Sequence, residues 1–166
     1  EYVLVEELGE RPMRLLGVDS FSEAPFRSYL GSGNGDEESA PLSLDQLTVF
    51  LTQPNTIFLS EEVAIQNNIE AGDVLTLLIG TRQEIVTVVG LLKPSDDLSR
   101  RALDSLLLAD IATTQEVLDK TGQLSTIDLI LSEQEEEAMT KLIGAVLPPN
   151  VRIERPSQRT ATIEQL

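Results

Sequence analysis

The 166-residue sequence contains no cysteine, no histidine and no tryptophan. Without thiols or imidazoles there is no Cys or His nucleophile or base, no His-based triad, and none of the ligands that zinc prefers. The missing cysteines are silent on compartment, because a chain of this length buries a core without disulfide staples. Basic residues are scarce: 12 Lys and Arg stand against 28 Asp and Glu, a net charge of −16. That balance excludes nucleic acid as a partner, since phosphate binding depends on cations that neutralise the backbone. It also weakens binding to an anionic membrane surface, although Arg100-Arg101 is a local basic spot. Long hydrophobic runs are absent as well. No stretch approaches the roughly 18 to 20 apolar residues that span a bilayer, so the fragment is expected to be soluble as written. It starts at Glu1 inside an apolar strand, without a basic leader or cleavage site, as a piece cut from a longer chain would.

What is present centres on Ile57 to Leu92. Ile57-Phe58-Leu59 reads as a strand, and Ser60 with Glu61 and Glu62 as the start of a short helix whose first-turn carboxylates complement the helix dipole. Gly72-Asp73 stops that helix and turns the chain into Val74 to Ile79. Gly80 to Gln83 forms a polar hairpin loop before Glu84 to Leu92. Both faces of these two strands are largely apolar, which predicts strands buried on each side.

On the amino-terminal side, Tyr2 to Val5 and Met13 to Val18 predict a hairpin around Glu7 to Pro12. Residues 31 to 41 are small, polar and acidic, a mobile loop. Ser43 and Gln46 match a capping box for a helix with Leu44, Leu47 and Leu51 at helical spacing. Beyond the centre, Leu98 to Leu103 predicts a helical turn or two, Leu106 to Ala109 a buried strand, and Asp110 the cap of a helix reaching about Lys120. Alternation over Ser125 to Leu131 predicts a half-buried strand. Ser132 and Glu135 read as a second capping box, before a helix with Met139, Leu142, Ile143 and Val146 on one stripe. Val151 to Ile153 reads as a strand, which would complete a split βαβ unit, and Ser157 as the start of a final helix running to Leu166. The fold class is therefore α+β.

The candidate chemistry reduces to structural roles. Gly31-x-Gly33-x-Gly35 is followed by no Gly-Lys-Ser/Thr and reads as a loop rather than a phosphate cradle. Asp36-Glu37-Glu38 lacks the alternating ligand spacing of a calcium loop. Asp96 with Asp97, and Glu133 with Glu135 to Glu137, are adjacent acids of the kind a chain with 28 carboxylates carries anyway. Lys93, Lys120 and Lys141 sit at a turn, a helix end and a polar helix position, where none is desolvated as a Ser-Lys pair requires. No catalytic, metal-binding or cofactor-binding residue is assigned. The aromatics Phe21, Phe26, Tyr29, Phe50 and Phe58 are core plugs or partner anchors, and burial is the commoner fate.

Several phrases, in order, resemble a known family. Leu15-Leu16-Gly17-Val18-Asp19, then Ile57 to Ala64, Asn68 to Leu75, and Val86-Thr87-Val88-Val89-Gly90-Leu91 are similar to the extracytoplasmic core domain of MacB/FtsX-like ABC transporter permeases. The agreement continues from Ser125 to Leu129 as far as Arg159 to Glu164. The resemblance implies a porter-like lobe, residues 1–30 and 123–166, split around an inserted β-rich Sabre-like lobe, 42–122. The family's first strand and helix after its first transmembrane helix would be missing. It further implies a non-enzymatic domain on the extracytoplasmic side of the cell membrane. Its expected partners are a cytoplasmic ATPase subunit, a second permease copy, and an extracytoplasmic adaptor or protein substrate. A soluble small-ligand-binding module built on a β-barrel is the other reading.

Overall fold

A computed structural model describes residues 1–19, 43–94, 97–132 and 134–154. The chain divides into two units, Glu1–Gln123 and Leu124–Leu166. The expected loop 31–41, the segment Phe21 to Tyr29 and the final helix lie outside the described residues.

The first unit is a closed six-stranded barrel. Its strands are β1 (Tyr2–Val5), β2 (Arg11–Val18), β3 (Thr56–Ser60), β4 (Val74–Ile79), β5 (Arg82–Leu92) and β6 (Leu106–Asp110). They close in the order β1-β2-β6-β3-β5-β4. The pairs β2–β6 and β3–β5 are parallel, and the other four pairs are antiparallel. Among the described residues four short α-helices decorate it: α1 (Leu44–Thr52), α2 (Glu61–Asn67), α3 (Asp97–Leu103) and α4 (Ile111–Val117). Among the described residues no helix is long and apolar enough to cross a membrane.

Local chemistry explains most of these elements. Both bonds of the capping box at α1 are present: Gln46 N–H donates to Ser43 Oγ at 3.1 Å, and Ser43 N–H donates to Gln46 Oε1 at 3.0 Å. Asp110 caps α4 by accepting from Ala112 N–H at 2.9 Å. Ser60 precedes α2 as expected, yet its hydroxyl makes no cap bond and is buried. The Gly72-Asp73 turn is clamped to β5, with Gly72 N–H donating to the Val88 carbonyl at 2.7 Å and Val88 N–H to the Asp73 carbonyl at 2.9 Å.

Side chains fill the barrel. Val3, Val5, Met13, Leu15, Ile57, Leu59, Leu75, Leu77, Val86, Val88 and Leu107 belong to one cluster and are all at most 2% exposed. A second cluster lies outside the barrel wall, where Phe50 of α1 and Leu103 of α3 cover Phe58, Leu106 and Leu108. The Phe50 and Phe58 rings meet with centroids 4.6 Å apart. Both are therefore core plugs.

Three expectations need correction. The strands covered on both faces are β3 and most of β6, because helices cover their outer side. On β4 and the first half of β5 only the inward residues are buried, and Val74 is 53% and Ile85 61% exposed; towards its carboxyl end β5 is covered as well, Leu92 joining the outer cluster. An apolar run states that both faces tolerate burial; it does not say where helices will sit. Secondly, the resemblance groups the hairpin 1–18, within residues 1–30, with residues 123–166. Its strands instead pair with β4 and β6 and so complete the barrel wall. Thirdly, among the described residues of the second unit, Ser125–Leu131 and Val151–Ile153 pair with no strand, so the split βαβ unit is not formed. Alternation marks a preference for two environments, but a strand also needs a neighbour for its backbone groups. Ile127 and Leu129 are 70% and 57% exposed. Helix α5 (Glu136–Val146) does form, but one turn later than its expected cap. Ser132 Oγ donates to the Glu135 carboxylate at 2.6 Å instead of accepting from a backbone amide.

Candidate functional site

The charged residues singled out in the sequence occupy solvated ion pairs. Lys93 pairs with Glu61 at 3.5 Å, Lys141 with Glu137 at 3.4 Å, and Lys120 with Glu1. The hydrogen bond from Lys120, together with its charge, holds the Glu1 carboxyl below the usual carboxylate range. Asp97 opens α3 and pairs with Arg100 at 3.4 Å. Asp96, Glu133 and the Gly31 to Glu38 stretch lie outside the described residues. Among those described, no group of three or more acids converges as a metal ion would require.

Two surface features remain. One is an open groove of about 340 Å³ lined by Glu61, Glu62, Ile65, Gln66, Pro94 and Arg100. It lies where α2 leaves β3, and Arg100 bridges Glu62 at 3.4 Å across it. Lys93 and Arg100 each have a carboxylate beside them there, so among the described residues the charges of the groove are paired. Ile65, 70% exposed, gives it an apolar lip. The second feature is the wall made by β1, β4 and the amino-terminal half of β5, which no described helix covers. There Tyr2, Leu4, Val74 and Ile85 are exposed on the outer face. At the rim of this wall Glu7 reaches across to the Thr76 amide. The sequence signals neither the Glu7 contact nor the open wall: Glu7 reads as a turn residue, and the strands Val74 to Ile79 and Glu84 to Leu92 as buried on both faces.

Within Glu1–Gln123 the barrel is packed with side chains, and the two features above lie on its surface. No family pattern matches the chain. Over 165 residues, 99% of its length, it is 38% identical to an uncharacterized ABC transporter permease protein of Mycobacterium tuberculosis. The chain is similar to one segment of an ABC transporter permease. It spans 18% of that permease's length, so four fifths of the relative has no counterpart here. The resemblance to a permease, carried by ordered phrases from Leu15 to Glu164, thus extends over the chain as a whole. In this permease-like segment, the Gly-Asp phrase is the turn bonded to Val88, and the Gly17 phrase ends β2 against α4.

Proposed function

We propose that the chain is the extracytoplasmic domain of a MacB/FtsX-like ABC transporter permease, a passive part that conveys motion generated by ATP hydrolysis in a separate cytoplasmic subunit. The observation that carries this reading is the 38% identity to a permease over 99% of the chain. The fold agrees with it. A barrel whose interior is filled by buried side chains moves as one body, as a lever must. Its output would be the export or extraction of a substrate, or control of an extracytoplasmic partner, with two permease copies acting together. In this reading residues 1–123 act as the rigid body, and 124–166 as the connection toward the membrane-embedded remainder. The small-ligand reading has less to stand on, because the barrel interior is already occupied.

Two experiments test this in the full-length permease. The chain contains no cysteine, so Ile65→Cys supplies a single exposed thiol within this domain. In a permease otherwise free of cysteine, a membrane-impermeant maleimide should label it in intact cells, and labelling only after lysis overturns the extracytoplasmic placement. A flexible glycine-serine insertion between Pro156 and Leu166 should reduce transport while basal ATP hydrolysis stays measurable. Transport at the unaltered rate overturns the lever.

A further inference from the structure

Strands β4 and β5 turn through only Gly80 and Thr81, and Ile79 pairs with Arg82. In a two-residue hairpin the residues flanking the turn exchange backbone hydrogen bonds, and the direction of the backbone groups then alternates along each strand. Glu84 and Val86 therefore point N–H and C=O at β4, while Gln83, Ile85 and Thr87 point theirs away. Two bonds fix this phase. Val88 N–H donates to Asp73 on the β4 side, and Thr87 N–H donates to the Asn55 carbonyl at 2.8 Å on the β3 side. Strand β3 begins at Thr56, opposite Thr87. Among the described residues, 82–86 thus have a strand on one side only, and the outward backbone groups of Gln83 and Ile85 have no backbone partner. Both residues are exposed, Ile85 by 61%.

We propose that this edge receives an extended segment of a different polypeptide, which adds a strand alongside residues 82–86. Unpaired amides and carbonyls in strand geometry are complemented by another backbone, the basis of recognition by strand addition. The side chains narrow the partner further. Ile85 calls for an apolar residue beside it. Glu84, partly buried and in no ion pair among the described residues, calls for a Lys or Arg facing it. A second copy of this chain fits poorly. Antiparallel self-pairing that satisfies Gln83 and Ile85 sets Glu84 directly against Glu84, between two bodies that each carry −16. The inference rests on strand geometry and stands independently of the permease reading.

The test is residue-resolved amide exchange on the full 166-residue chain, with a synthetic peptide of alternating valine and lysine and a matched peptide of valine and glutamate. The lysine peptide should slow exchange at Gln83 and Ile85 by about tenfold or more, and the glutamate peptide should not. Glu84→Lys should reverse that preference. Ile85→Pro removes one edge donor while sparing the bonds to β4, and should abolish the protection; if that variant does not fold, the Glu84→Lys reversal still decides. Slowing that is absent, or that spreads over the acidic surface without Gln83 and Ile85 leading, overturns the proposal. Protection of these two amides without peptide, rising with protein concentration, overturns it in favour of a second copy.

Discussion

The carboxylate of Glu7 accepts the Thr76 amide at 2.8 and 3.0 Å, 69 residues away in sequence. It does so where β1 has ended. The β1–β4 seam has two registered pairs, Leu4 with Leu78 and Val5 with Leu77. Beyond Val5 the chain enters a single 3-10 turn, Glu6–Leu8, and β4 loses its strand neighbour. The Thr76 amide faces that gap, and the side chain of Glu7 takes the place of a strand carbonyl.

Glu7→Ala should therefore loosen this seam first. The expected loss is about 1 kcal/mol, that of a single exposed charge-assisted bond. Amide exchange should accelerate at Thr76 more than at Leu75 or Leu77, whose amides face β5. Glu7→Gln, which keeps an acceptor, should lie between the two.

Gly90→Ala should destabilise the barrel. A Cβ at Gly90 would lie 2.8 Å from the Phe58 ring and 2.9 Å from Gln46 Nε2. Phe58 is fully buried against Phe50 and has nowhere to go. Overpacking of this kind costs about 1–3 kcal/mol, readable as a lower urea midpoint. Gly144→Ala is the counter-example. Nothing lies within 4 Å of its Cβ position in α5, so helix propensity alone should act, strengthening that helix by up to about 1 kcal/mol.

The two expected capping boxes should respond differently to alanine. Ser43→Ala removes a side-chain acceptor from a helix amide and should cost about 1 kcal/mol. Ser132→Ala removes only an exposed bond to the Glu135 carboxylate. Its effect should stay within about 0.5 kcal/mol. Thermal unfolding of both variants checks the contrast.

Truncation after Gln123 should leave a cooperatively folding domain. All six strands and both hydrophobic clusters belong to residues 1–123. A single sharp transition in circular dichroism is expected. A broad, non-cooperative melt would mean that residues 124–166 are required for the barrel to fold.

Much of the fold was legible because its signals are local. The Gly72-Asp73 stop, the caps at Ser43 and Asp110, and the apolar runs of β3 to β6 each rest on residues within a few positions of one another. The charged pairs were legible as solvated for the same reason. The open edge at Gln83 and Ile85 escaped for a small cause: the loop was read as four residues, Gly80 to Gln83. The observed turn has two, and that shift decides which backbone groups point outward.

The sequence by itself determined the strand and helix segments of residues 1–123, the acidic surface, and the kinship with a permease, because composition and short-range order are written along the chain. Only the tertiary structure decided that the amino-terminal hairpin closes the barrel, that helices cover β3, β6 and the carboxy-terminal half of β5 but leave β4 and the start of β5 open, and that the alternating segments after Gln123 pair with no strand among the described residues. Those outcomes depend on which distant segments share backbone hydrogen bonds. A strand's own residues state that it can pair, but its partner lies elsewhere in the chain.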